Sequence, residues 1–304
     1  MPGMLKGRVV VVTGGGRGIG RAHCLELARH GATVVVNDLG VGLRGDDVGE
    51  SPAEEVAAEI VKLGGEAVAD MASVTDWDGV GAMVGRIVER YGRLDAVVNN
   101  AGILRDGMIT RLREEDVDQV LAVHLKGTMA LTHHACAHWR EVARATGEQV
   151  AGRIVNTTSG AGLASNVGQA VYGAAKAGIA NLTLVTAMEM ARYGVTANAV
   201  SPVARTRMTT SVGMAEESRS GGWDPMDPEN SSPVVAWLAS AESGWLSGAV
   251  LRVDGNTVHR VQPWTVLDGH TAAGGERLSA EEIDSGLRRV FGVLPGGIAS
   301  LSRR

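Results

Sequence analysis

Residues 8–31 read RVVVVTGGGRGIGRAHCLELARHG. The valine run before Thr13 has the β-branched, unalternating character of a strand buried on both faces, as in a parallel sheet. Glycines dominate positions 14–20, and the amphipathic segment that follows is closed by Gly31, which suits a helix. In that order, strand, turn and helix aim a helix N-terminus at the turn, where unpaired N–H groups and the helix dipole attract phosphate. Gly14 permits the tight turn, Gly18 lets backbone approach a pyrophosphate, and Gly20 lets the helix pack closely on the strand. The spacing is Thr-Gly-x-x-x-Gly-x-Gly, so its reading as a dinucleotide site rests on the flanking strand and helix.

A second apolar run, TVVVN, ends at Asp38, eighteen residues after Gly20. A carboxylate at that strand end accepts hydrogen bonds from an adenosine ribose and repels a 2′-phosphate. Arg17 pulls the other way, because a cation there suits that phosphate. NAD is therefore expected, with NADP the alternative. Asp38 also suits the turn before Leu39 and Gly40.

Downstream, SGAGLASNVGQAVYGAAK spans Ser159 to Lys176. Its Ala-rich, proline-free end favours helix, and Tyr172 and Lys176, four apart, leave the same helical face. A cation one turn from a phenol favours the phenolate, so Tyr172 is expected to titrate below its ordinary pKa of about 10 and to serve as general acid or base. Ser159 follows the apolar run RIVNTT, where a strand gives way to a loop, and its hydroxyl can meet a substrate oxygen.

Between and beyond these stretches, apolar runs alternate with helical patterns. EAVAD, LDAVV (ending in NNAG, 99–102), RIVNTTS, VTANAVSP and AVLRVDG read as further strands, and a long helix is expected from Arg113 towards Thr146. Small residues in NNAG let a ribose lie against the backbone. The alternation predicts an α/β fold with one doubly wound parallel sheet, of the Rossmann type, over residues 1–255. Residues 256–304 are a C-terminal extension, too short for an independent domain, expected to pack on the sheet domain or on a partner subunit. The polar, Gly/Pro-containing stretch 204–233 is expected to cover the substrate.

Composition narrows the function. The 304 residues carry a net charge of −5, which gives no electrostatic footprint for nucleic acid. No stretch approaches the roughly 20 apolar residues of a membrane span, and no metal-ligand spacing is present. Cys24 and Cys136 read as reduced core thiols, consistent with a soluble, cytoplasmic protein.

Together, TGGGRGIG, Asp38, NNAG, Ser159, Tyr172, Lys176 and the Ser-Pro at 201–202 resemble the short-chain dehydrogenase/reductase family over residues 5–255. The resemblance implies hydride transfer between a nicotinamide and a carbonyl or alcohol carbon. It makes Tyr172 the acid/base, Ser159 the group that polarises the substrate oxygen, and Lys176 the residue that tunes the tyrosine and holds ribose hydroxyls. It implies cofactor contacts at Gly14, Arg17, Gly18, Ile19, Gly20, Asp38, Ser73, Val74, Asn100, Ala101, Gly102 and Pro202, and at Thr206 with the carboxamide. VVNDLG, NNAGILRD, VHLKG and GQAVYGAAKAG are similar to the family's (3R)-hydroxyacyl-CoA dehydrogenase branch, found in the peroxisomal multifunctional enzyme and in bacterial relatives. A homodimer or homotetramer, and a small-molecule substrate such as an acyl-CoA, are implied.

Three positions depart from the family pattern. His124 stands where an Asn on the long helix holds a relay water through its carbonyl and a helix kink. Ser73 stands where an Asp often meets the adenine, and Val203 where glycine is common. His124 is thus either a relay residue or a satisfied helix histidine. The expected activity is NAD-dependent oxidation of a secondary alcohol, most simply a 3-hydroxyacyl thioester. Its rivals are an NADPH-dependent reductase of 3-oxoacyl or steroid-like ketones, and a nucleotide sensor without turnover.

Overall fold

The computed structural model describes residues 3–40, 51–205, 222–262, 264, 266, 269–272 and 278–291. Strands β1 (Val9–Thr13), β2 (Thr33–Asn37), β3 (Glu66–Asp70), β4 (Ala96–Asn99), β5 (Arg153–Thr157), β6 (Thr196–Val203), β7 (Val250–Asp254) and β8 (Thr257–Val261) form one sheet in the order 3-2-1-4-5-6-7-8. The first seven are parallel and β8 is antiparallel to β7. Sequence order runs outward both ways from the boundary between β1 and β4, so that boundary is the topological switch point at which such sheets open a crevice.

Side chains alternate across a strand, and the valines of β1 divide accordingly between two cores. Val10 and Val12 pack with Leu27 of α1 (Gly18–Arg29), Val56 and Ile60 of α2 (Pro52–Lys62), and Val235 and Leu238 of a C-terminal helix (Ser232–Ala239). Val9 and Val11 pack on the other face with Met83 of α3 (Trp77–Tyr91), Leu131 and Trp139 of a long helix, and Met190. The buried Trp139 indole donates to the Leu94 carbonyl, 2.6 Å away, which fixes that helix at the base of β4.

The long helix is not uniform. Helix α4 (Glu114–Leu121) passes into a π-helical turn at Ala122–Lys126 and then into α5 (Gly127–Thr146). Such turns insert a residue into the helical ladder and are frequent at functional sites; His124 sits in the middle of this one. A short α6 (Gly160–Ala164) follows β5, capped by the Ser159 hydroxyl, which accepts from Ala161 N–H. Tyr172 and Lys176 lie on α7 (Ala170–Met190).

The strand read as VTANAVSP runs one residue further, to Val203, with Pro202 opposite Val253. Strands β7 and β8 form a hairpin, whose Gly255 has φ 55°. The chain divides into two compact units, Met1–Val261 and Gln262–Arg304. The second contains a helix at Ala280–Phe291.

Candidate active site

A cleft of about 1300 Å³ opens at the C-terminal ends of the strands. Gly14, Arg17, Gly18, Ile19, Gly20, Asp38, Ser73, Val74, Asn100, Ala101, Gly102, His124, Ser159, Tyr172, Lys176 and Pro202 all line it. Residues expected from seven separate stretches of sequence thus line one cleft. Thr206 and the centre of the stretch 204–233 lie outside the described residues.

The glycine turn is held from two sides. Gly14 has φ 63°, where an L side chain is strained, and a Cβ there would stand 2.8 Å from the Cα of Ala101. A Cβ on Gly20 would overlap the Gly14 carbonyl oxygen. Asn100 donates its amide protons to the carbonyls of Thr13 (3.0 Å) and Gly14 (3.1 Å). Thr13 Oγ1 in turn accepts from the N–H groups of Asn100 and Ala101. The NNAG segment therefore clamps the turn as well as lining the cleft, and Thr13 is a member of the site that the sequence reading passed over.

Asp38 accepts from Gly16 N–H at 3.0 Å through Oδ2 and from Gly40 N–H at 2.9 Å through Oδ1. It lines the cleft while doing so, so the turn-forming role does not remove it from the wall. No acidic side chain lies in the first turn of α1, and Gly18, Ile19 and Gly20 of that turn line the cleft. A cramped glycine cradle, a helix start on the cleft without an acidic side chain and a carboxylate at the end of β2 fit a nicotinamide dinucleotide.

Lys176 is 3% exposed, and its Nζ donates to the Thr157 carbonyl at 2.7 Å while lying 5.7 Å from the Tyr172 ring centroid. Thr158 Oγ1 donates to the Lys176 carbonyl at 2.8 Å, tying the end of β5 to α7. Burial pushes the lysine down to about 7. Tyr172 moves opposite to expectation. Burial raises its phenol, the hydrogen bond with Ser159 lowers it, and the Asp106 charge raises it further. Proximity to a lysine suggested a stabilised phenolate, but that lysine is itself desolvated and is not among the causes acting on the tyrosine.

His124 is 1% exposed. Its Nε2 is 2.7 Å from the Ile103 carbonyl and 3.1 Å from the Ile103 N–H. One nitrogen cannot donate and accept in the same tautomer, and the shorter contact assigns the proton to Nε2. Nδ1 is buried with no partner among the described residues. Burial, then the Lys176 charge, hold the ring down to about 3 against the Ile103 hydrogen bond, so it is neutral near pH 7.

A mostly parallel sheet with a glycine turn at its switch point, and a serine, tyrosine and lysine set across the cleft, define a dinucleotide-dependent oxidoreductase. Residues 8–217 match the model of the short chain dehydrogenase family. The chain belongs to that family. It is 43% identical to the hydroxyacyl-CoA dehydrogenase ChsB1 of Mycobacterium tuberculosis over 289 residues, 94% of this chain and 89% of that protein. It is 41% identical to the peroxisomal multifunctional enzyme type 2 of Mus musculus over 232 residues, 76% of this chain and 30% of that protein. A crystal structure of a short chain dehydrogenase from Mycobacterium avium superposes with a TM-score of 0.84 at 50% identity, covering 95% of this chain and 96% of that one. Among described residues no helix is long and apolar enough to cross a membrane.

Proposed function

We propose that the chain interconverts a secondary alcohol and a ketone with NAD, on a 3-hydroxyacyl thioester of the coenzyme A type. The observation that carries this reading is the meeting of Ser159, Tyr172 and Lys176 on a cleft whose other wall is the glycine turn. Names of the relatives, hydroxyacyl-CoA dehydrogenase above all, supply the substrate class.

Gly14 to Gly20, Asp38, Ser73, Val74 and Asn100 to Gly102 would hold the dinucleotide. When bound, its nicotinamide supplies the acceptor or donor of hydride. Tyr172 and Ser159, hydrogen-bonded to each other, present two hydroxyls to one substrate oxygen. In reduction Tyr172 gives that oxygen its proton; in oxidation it takes the proton away. Burial keeps the phenol protonated at neutral pH, so rising pH favours oxidation. Lys176, brought to about 7, can exchange a proton beside the phenol. His124 positions this pair by holding Ile103 and bracing the π turn.

Asp38 supports NAD over NADP through its charge. Arg17 on the same cleft, and 34% identity to the 3-oxoacyl-[acyl-carrier-protein] reductase FabG of Thermotoga maritima, favour the rival reductase reading. Unpaired Cys24 and Cys136 suit a reducing, cytoplasmic setting, and a homodimer or homotetramer is the expected assembly. Nicotinamide absorbance, followed with NAD and NADP against 3-hydroxyacyl-CoA esters and cyclic alcohols, tests the reading. Turnover of cyclic alcohols alone would overturn the thioester assignment, and no turnover of any alcohol would favour a sensor.

A further inference from the structure

The charged side chains on the cleft wall are unbalanced. Arg17, Arg21, Arg105, Arg113 and Lys176 line it, against Asp38 as the one carboxylate among the described lining residues. Arg17 and Arg21 belong to the glycine turn and α1, and Arg21 is neutralised by Glu59 at 2.6 Å. Arg105 and Arg113 come from the segment between β4 and α4 and have no part in the dinucleotide cradle. They share the carboxylate of Asp116, which does not line the cleft. Arg113 forks onto it through Nε (2.7 Å) and Nη2 (2.8 Å), and Arg105 Nε is 3.3 Å from Oδ1. Arg105 also donates to Gln119 Oε1 through Nη2 at 2.9 Å, and Gln119 Nε2 donates to Glu115 at 3.2 Å.

The fork leaves Arg113 with a defined outer edge. A guanidinium has five N–H donors, and Asp116 takes two of them. Both Nη1 protons and one on Nη2 have no acceptor among the described residues, and the side chain is 68% exposed. A planar group whose inner edge is locked by a carboxylate presents its outer edge without a large ordering cost, and that edge matches two phosphate oxygens.

Resting on the thioester reading above, we propose that Arg113, held by Asp116 and flanked by Arg105, is the phosphate-recognising residue for the substrate's carrier. The site selects a thioester whose carrier bears phosphate groups over the same acyl chain on a phosphate-free thiol.

The test measures kcat/KM for paired 3-hydroxyacyl thioesters of short, medium and long chain, on coenzyme A and on N-acetylcysteamine, with the full chain and saturating NAD. Native protein is expected to prefer the coenzyme A ester. Arg113→Gln should reduce that preference about tenfold, through a higher KM for the coenzyme A ester, as loss of one charge-assisted fork implies. Arg113→Lys, which keeps the charge but not the fork, should fall between them. Arg29→Gln, on the exposed end of α1, controls for net charge and should leave the preference intact. Independently of any variant, raising salt from about 0.02 to about 0.5 M should raise KM for the coenzyme A ester alone. Equal use of both esters by native protein, or a preference unmoved by Arg113→Gln and by salt, would overturn the proposal and leave the thioester reading standing. Turnover of neither ester would overturn both.

Discussion

The His124 imidazole stands edge-on to the Tyr172 ring, with centroids 5.2 Å apart and 83° between their planes. The same imidazole grips Ile103 through Nε2. One buried, neutral ring therefore links the segment after β4, the π turn and the proposed acid/base residue. Gly102 is the space that makes this possible, since a Cβ there would overlap His124 Cε1 and approach Nδ1 to 3.1 Å.

Gly102→Ala should accordingly destabilise the chain by roughly 1–3 kcal/mol, as overpacking does in a buried site, and should lower kcat. Pairing it with His124→Ala removes the clashing ring. The double variant should then be less destabilised than the sum of the singles by about 1 kcal/mol or more in denaturant unfolding. Strict additivity would mean that the ring can move aside freely.

The buried lysine makes a pH prediction for the cofactor-free chain. Lys176 titrates near 7 when folded against 10.5 for the ordinary side chain, so between those values the unfolded state binds the extra proton. Stability contributed by this group therefore rises with pH, by about 1.4 kcal/mol per pH unit. Across the window from pH 7 to 9 the unfolded thiols also lose protons that buried Cys24 and Cys136 keep, equally in native and variant chains, so the lysine is read from the difference between their slopes. Unfolding free energies measured across that window should lose the lysine's slope in Lys176→Met. An unchanged slope would show that Lys176 keeps its charge in the folded chain.

Cofactor choice turns on Asp38. Asp38→Ser removes the carboxylate that repels a 2′-phosphate, and the ratio of kcat/KM with NADP to that with NAD should rise about tenfold or more. The variant also gives up the Gly16 and Gly40 hydrogen bonds, so a binding measurement with each cofactor should accompany the kinetics. A native enzyme that uses both cofactors equally would show Arg17 outweighing Asp38.

What was legible in the sequence was local. A valine run, glycines and an amphipathic helix announce β1, the turn and α1, because each signal is carried by adjacent residues. The spacing of Tyr172 and Lys176 likewise survives folding, since a helix fixes it. What escaped depends on distant packing. TVHRV alternates too weakly to mark β8, although the Asp254-Gly255 pair before it is a hairpin signal. A π turn leaves the apolar spacing of the long helix almost unchanged, so residues 122–126 looked like ordinary helix. The direction of the Tyr172 shift was missed because burial, which no residue spacing reports, raises the phenol and desolvates the neighbouring lysine as well. Arg113 entered the sequence reading only as the start of the long helix, and its place on the cleft wall is what distinguishes it.

The central claim is that Tyr172 moves the proton. Tyr172→Phe keeps the ring that His124 braces and removes only the hydroxyl that meets Ser159. Single-turnover hydride transfer, measured beside cofactor affinity and thermal unfolding, isolates that hydroxyl. The rate should fall by about 10²–10⁴, the range for lost general acid/base help, while affinity and unfolding temperature stay near native. Near-native hydride transfer in the variant would contradict the account.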